Sequence, residues 1–434
     1  MTRPVGTTTK VEGKMTAHNP GGEMSTPEQW RNTILAGLAN YIDAGSIVAG
    51  SIALVFWKDM YGLSDSFIGL LGAFSAHAIS AGVGAFIGGW LCDRVGRKKI
   101  YQWDMLVYAA GMSLLVFAAA PWMIVLGFLV VGLAVGADIP ASWSLIAELA
   151  PTGKRGKHSG VAQMLWYFGP VVVLFMAFVL SDLGILGARI VFAHLALIAI
   201  ALTLLRARMR ESIRWEEAQK KAARQPPVSE LFKPKYLGSL AMLIGVYGFW
   251  NLFAGTNGFF FPYILRVVGN TSQATSVAIQ IIAFSIGIAS IYLVFMRLSD
   301  KVNQRLLFAL SSIIQIIGIG QLIFFPLTVT IAILYVVMIG RGAGFGAQPF
   351  FQLWSAELFP TLLRSTAQGL AFAVVRIFLG FFSFFVPMLT STGFTNLAII
   401  LTGFLVISGL IGTIWGPRNE GKSLEQIEAE RNAP

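Results

Sequence analysis

The chain has 434 residues, of which 56% are hydrophobic and only 12% charged, and its mean hydropathy is +0.70. A soluble protein of this length has no way to hide so much apolar surface, so the composition excludes a soluble enzyme or scaffold and points to a lipid bilayer. The net charge of +11 does not imply nucleic acid, because the cations are scattered over many loops and form no stripe.

Residues 1–30 are rich in Thr, Gly, Pro and Asn and lack the apolar core of a cleavable signal, so they are expected to be a disordered cytoplasmic tail. Runs of roughly 18 or more residues with few charges read as membrane-crossing helices; barrel strands would alternate polar and apolar positions. Such runs occur at 31–57, 65–91, 100–119, 122–147, 158–181 and 186–206, giving a first half over 31–206. A basic linker, 207–236, mixes Arg, Lys and Glu ahead of Gln225-Pro226-Pro227 and is expected to form short interfacial helices. The second half, 237–416, holds runs at 237–264, 272–298, 304–324, 328–353, 364–390 and 394–416, and a tail follows at 417–434. Of the 32 Lys and Arg, only Lys58, Arg189, Arg266, Arg341 and Arg376 fall away from one set of alternate loops. That bias predicts cytoplasmic termini and a cytoplasmic linker. The lone Cys92 excludes an intrachain disulfide and reads as an inert packing residue, and no His/Cys cluster or phosphate-binding loop suggests a metal or cofactor.

Two signatures recur. The stretch Gly88-Gly89-Trp90-Leu91-Cys92-Asp93-Arg94-Val95-Gly96-Arg97 returns, degraded, as Arg297-Leu298-Ser299-Asp300-Lys301-Val302, and Asp93 maps to Asp300 at an offset of 207. Glu148, Pro151 and Arg155 return at an offset of 209 as Glu357, Pro360 and Arg364. Such a duplication is how secondary transporters place one site between two moving repeats. Asp93, Arg97, Glu148 and Arg155 lie at helix ends on the side read as cytoplasmic, where they can pair and latch the mouth; Asp300, Glu357 and Arg364 are the counterparts. These residues are expected to gate.

A charge deep in a span is a functional candidate. Asp43, Asp138, Arg341 and Arg376 form that set. At 1.5 Å per residue, Asp43 lies roughly 18 Å beyond Arg31 and Arg376 roughly 18 Å beyond Arg364, so the two share a depth near the midplane. Arg376 is expected to hold an acidic group of the substrate and Asp43 to load and release a proton, with Asp138 the next proton candidate. His77 and His194 are expected to be structural.

The Asp93–Arg97 block resembles the loop signature of the major facilitator superfamily. Glu148 to Gly156 (E-x-x-P-x-x-x-R-G), its twin Glu357 to Arg364, and Glu211-Ser212-Ile213-Arg214-Trp215 are similar to motifs of the sugar porter branch. The resemblance implies a 6+6 helix fold, a central cavity and alternating access. It also implies that Gln163, Asn251 and Asn257 contact substrate, with Gln348, Gln352 and Trp166 as further cavity candidates. The chain departs from sugar porters in three places: Leu126 to Leu129 lack the usual arginine, Leu252 replaces a glutamine and Gln352 a tryptophan. The segment Glu357 to Arg376 resembles organic ion transporters of the same superfamily, where the arginine favours anions.

The sequence therefore predicts an all-α membrane protein of two six-helix pseudo-repeats, acting as a monomer without cofactor or metal. Its expected activity is uptake of a small organic anion, such as a sugar acid or carboxylate, with protons. The alternative is a proton-coupled or facilitative sugar or polyol transporter.

Overall fold

The computed structural model describes residues 26–74, 78–207, 209 and 211–432, and every regular element in that range is helical. Most of the tail and His77 lie outside the described residues. The first half contains α1 (Thr26–Tyr61), α2 (Asp65–Ala73), α3 (Ile79–Val95), α4 (Arg97–Val116), α5 (Pro121–Leu149), α6 (Arg155–Val179) and α7 (Ile185–Arg206). The short α8 (Ile213–Lys221) leads through a 3₁₀ turn (Val228–Phe232) to α9 (Pro234–Val267). Then come α10 (Gln273–Ser290), a π-turn (Ile291–Phe295), α11 (Met296–Leu298), α12 (Gln304–Phe324), α13 (Val329–Ala343), α14 (Ala347–Glu357), α15 (Arg364–Thr392), α16 (Phe394–Trp415) and α17 (Leu424–Asn432). Hydrocarbon offers no partner for a free N–H or C=O, and a helix satisfies both within its own segment.

Nine helical segments among the described residues, from α5 onward, are long and apolar enough to cross a membrane. Helix α1, the α2–α3 pair and α4 make the remaining three of twelve spans, so the fold is the all-helical one expected. Helix α1 begins at Thr26, inside the segment read as tail, and α13 and α14 together form one span interrupted at Gly344–Gly346. The outward faces are apolar, with Leu204 69% and Phe378 64% exposed, as a lipid-facing surface requires and a water-facing one does not.

Close packing depends on small residues. A Cβ on Gly84 or Gly88 would meet the backbone of Leu133 or Ala137, and one on Gly136 that of Ala81, so α3 and α5 touch backbone to backbone. The same helix α3 approaches α15 of the other half, where Gly89 faces Ser365 and Gly369 faces Ala85. Aromatic rings complete each core: Trp57 stacks on Phe192 in the first half and Tyr247 on Phe351, 4.1 Å between centroids, in the second. Trp143 of α5 packs edge-on against Phe351 and Phe372, joining the halves.

Candidate functional site

Helices α6, α9, α10 and α13 enclose a cavity of about 90 Å³, walled by Trp166, Tyr167, Trp250, Asn257, Gln280 and Phe284. This is well below the roughly 300–1,000 Å³ of open ligand pockets, as a closed or nearly closed site would be. Asp43 of α1 and Arg376 of α15 are both buried and within electrostatic reach of each other, with Trp166 beside the acid. The Arg376 guanidinium lies 4.5 Å over the Phe372 ring, near Tyr247. Sequence depth alone had set Asp43 and Arg376 at one level; the structure brings them within each other's field.

The amides cluster beside them. Gln163 Nε2 of α6 donates to Gln352 Oε1 of α14, a direct bond between halves. Tyr247 donates to Gln348 Oε1 at 3.4 Å, and Tyr335 donates to Asn257 Oδ1 at 2.6 Å. Gln163 Oε1, Gln352 Nε2 and Asn251 Oδ1 are buried and have no hydrogen-bond partner. An unfilled buried polar atom is costly, so these two acceptors and one donor are candidates to meet a polar ligand, although none of the three residues lines the 90 Å³ cavity.

The charged end of the bundle is shut. Glu148 Oε1 accepts from Arg97 at 3.0 Å and from Arg364 of the other half at 2.7 Å, and Arg97 also stands 3.2 Å from Asp93. Arg155 does not join this group; it pairs across the interface with Glu357 at 2.8 Å. Asp93 accepts from the backbone N–H groups of Ser365 and Thr366, at 3.3 and 2.7 Å, and so caps α15. Its counterpart Asp300 accepts from Gly156 and Lys157, at 2.9 and 3.2 Å, and so caps α6. A carboxylate at a helix N-terminus meets free donors and the positive end of the dipole. Glu211 accepts from Arg97 N and Lys98 N, and Trp215, Gln219 and Gln225 all donate to the Asp93 carbonyl, so the linker covers this lock.

Two interior charges land elsewhere. Asp138 is not open to the cavity: its Oδ1 lies 2.9 Å from Arg206 Nη1. Arg206, the last residue of the span 186–206, is fully buried in the first half, with Asp104 also facing it at 3.9 Å. Asp104 escaped notice because it sits two turns into its helix, where an acid passes for a loop charge. Arg341 is exposed, while its neighbours Gly340 and Gly342 pack on α10 and α12, so depth placed it among interior charges although its helix turns it outward. Cys92 is buried, and His194 bonds Tyr41 at 3.2 Å.

Two six-helix halves around a cavity, with charges paired across them at one end, define a membrane transport protein. The Major Facilitator Superfamily pattern matches residues 33–383, and the chain belongs to that family. It is 47% identical over 414 residues to the minor myo-inositol transporter IolF of Bacillus subtilis (strain 168), a match covering 92% of this chain and 93% of the relative. The glucose transporter GlcP of Staphylococcus epidermidis is 26% identical, with 91% and 95% covered. Among solved structures, the proton:xylose symporter XylE bound to 6-bromo-6-deoxy-D-glucose superposes with a TM-score of 0.81 at 18% identity, over 94% of this chain and 100% of that one. The motifs' sugar porter resemblance holds in these relatives. The chain is a multi-pass transporter and not an enzyme.

Proposed function

We propose that this transporter moves a neutral cyclic polyol or sugar, of the myo-inositol kind, by proton symport through alternating access. The neutral substrate rests on Asp43 and Arg376, two buried groups of opposite charge type within electrostatic reach of each other. While Asp43 is ionised it supplies a negative charge in the field of Arg376, so in that state Arg376 does not call for an anionic solute. The expectation of an organic anion gives way here to its alternative. Hydroxyl groups both donate and accept, which matches the open atoms of Gln163, Gln352 and Asn251. Trp166, Trp250 and Phe284 offer flat apolar surfaces for the C–H faces of a ring. The 47% identical relative, named for myo-inositol, supports the same class.

Asp43 carries the coupled proton in this scheme. The excess of Lys and Arg at the charged end supports a cytoplasmic position for it; the state described here is then closed to the cytoplasm, and an inward proton gradient would drive import by the monomer. The test is uptake of labelled myo-inositol into vesicles under an imposed pH gradient, competed by neutral and acidic sugars. Competition by neutral cyclitols and not by uronic acids is expected; the reverse order would restore the anion.

A further inference from the structure

Three groups buried together in the first half play no part in this scheme: Asp104 of α4, Asp138 of α5 and Arg206 of α7. Arg206 is heavily committed. Its Nη1 donates to Asp138 Oδ1 at 2.9 Å, its Nε and Nη2 donate to the carbonyls of Leu35 and Ala36 in α1, and its plane lies 3.9 Å over the Tyr101 ring. Only one positive charge therefore faces two carboxyl groups. Asp104 gains little from it: the Arg206 nitrogen is 3.9 Å away, and neither Asp104 oxygen receives a well-formed hydrogen bond although the side chain is 1% exposed.

Asp104 Oδ1 and Asp138 Oδ1 both face the same Arg206 nitrogen, at 3.9 and 2.9 Å, so two buried carboxyl groups stand side by side on one cation. Two ionised carboxylates have acceptors only, so this arrangement is repulsive unless one of them holds a proton, and buried like charges at such range do not both ionise. We infer that Asp104 and Asp138 share one proton and form a second proton-binding site, separate from Asp43, in the first half. The proton is assigned to Asp104, whose oxygens have no hydrogen-bond partner, because Arg206 is committed to the 2.9 Å pair with Asp138. The cluster is then neutral, as its burial in a membrane span demands. The other titratable groups facing it are Tyr101 on the same helix as Asp104 and Cys92 on α3, with Asp43 of α1 in the field of Asp138. Loss of the shared proton would add a negative charge to the surroundings of Asp43. The charge count is independent of which solute is carried.

Infrared difference spectroscopy of the purified protein in lipid nanodiscs at neutral pH, with hydrogen exchanged for deuterium, reads protonated carboxyl groups directly. The expected result is a carboxylic-acid carbonyl band that persists in Asp43→Asn and is lost in Asp104→Asn. Asparagine copies the shape and donor capacity of the protonated acid, so Asp104→Asn should fold with a thermal midpoint near that of the parent, while Asp138→Asn, which strands Arg206, should unfold at lower temperature. A band unchanged by Asp104→Asn, or absent from Asp43→Asn, overturns the shared proton. So does a chain that folds with Asp104→Glu but not with Asp104→Asn, because a neutral side chain would then be rejected at the position assigned to a neutral acid.

Discussion

Glu148 and Arg364, from opposite halves, stand 2.7 Å apart, and their repeat-related counterparts Glu357 and Arg155 stand 2.8 Å apart, so each half's acid holds the other half's arginine. Breaking a buried pair by removing one partner costs about 3–5 kcal/mol, and here that loss falls on the state closed at the charged end. Glu148→Gln should therefore shift the protein toward opening at that end by about a hundredfold or more. Ligand affinity should stay within about fivefold and net uptake should slow, because the pair lies outside the cavity. Labelling of a cysteine introduced at Ser144 should be faster in the variant; unchanged labelling would remove Glu148 from the gate. Exchanging the second pair, Arg155→Glu with Glu357→Arg, should recover much of the transport lost in either single variant.

Gln163 and Gln352 form a bond between halves and each keeps one atom open. Replacing either with alanine should raise the apparent KM for the solute by about tenfold, within the range expected for a lost buried hydrogen bond, with a smaller fall in maximal rate. A normal KM with reduced rate would mean that these amides serve closure and not recognition.

Asp43→Asn mimics the protonated acid. Exchange of labelled for unlabelled solute across a vesicle membrane should persist, whereas accumulation driven by a pH gradient should disappear. Concentrative uptake by this variant would move the coupled proton to another group, with the Asp104–Asp138 pair the next to test.

Backbone contact between α3 and α5 leaves no room for side chains at Gly84 or Gly136. Valine at either site should abolish folding into a monodisperse protein on size-exclusion chromatography. Gly403→Ala is the matched control, since nothing lies within 4 Å of the added carbon and alanine favours the helix.

The twelve spans and the duplication are legible because apolar runs and repeated loop motifs are one-dimensional signals. Depth is legible as well, since rise per residue is fixed, and it put Asp43 and Arg376 at one level. Azimuth is not. Arg341 has the depth of an interior charge and points outward, and Arg155 chooses Glu357 over the Glu148 of its own motif because the partner lies across an interface that no spacing encodes. Asp104 and Arg206 were hidden for a related reason: each sits near an end of its helix, where a charge looks solvated, and only packing of α4, α5 and α7 shows that they face one another.

Asp93 and Asp300 each finish a helix belonging to the opposite half. If the halves rock as rigid units, neither cap can be released alone, and a half-opened molecule would forfeit both sets of bonds without yet admitting solute. The carboxylates thus turn a hinge into a toggle. Dwell times recorded from single molecules should fall into two levels with no resting point between them, and weakening one aspartate should shorten the closed dwell without creating a third level.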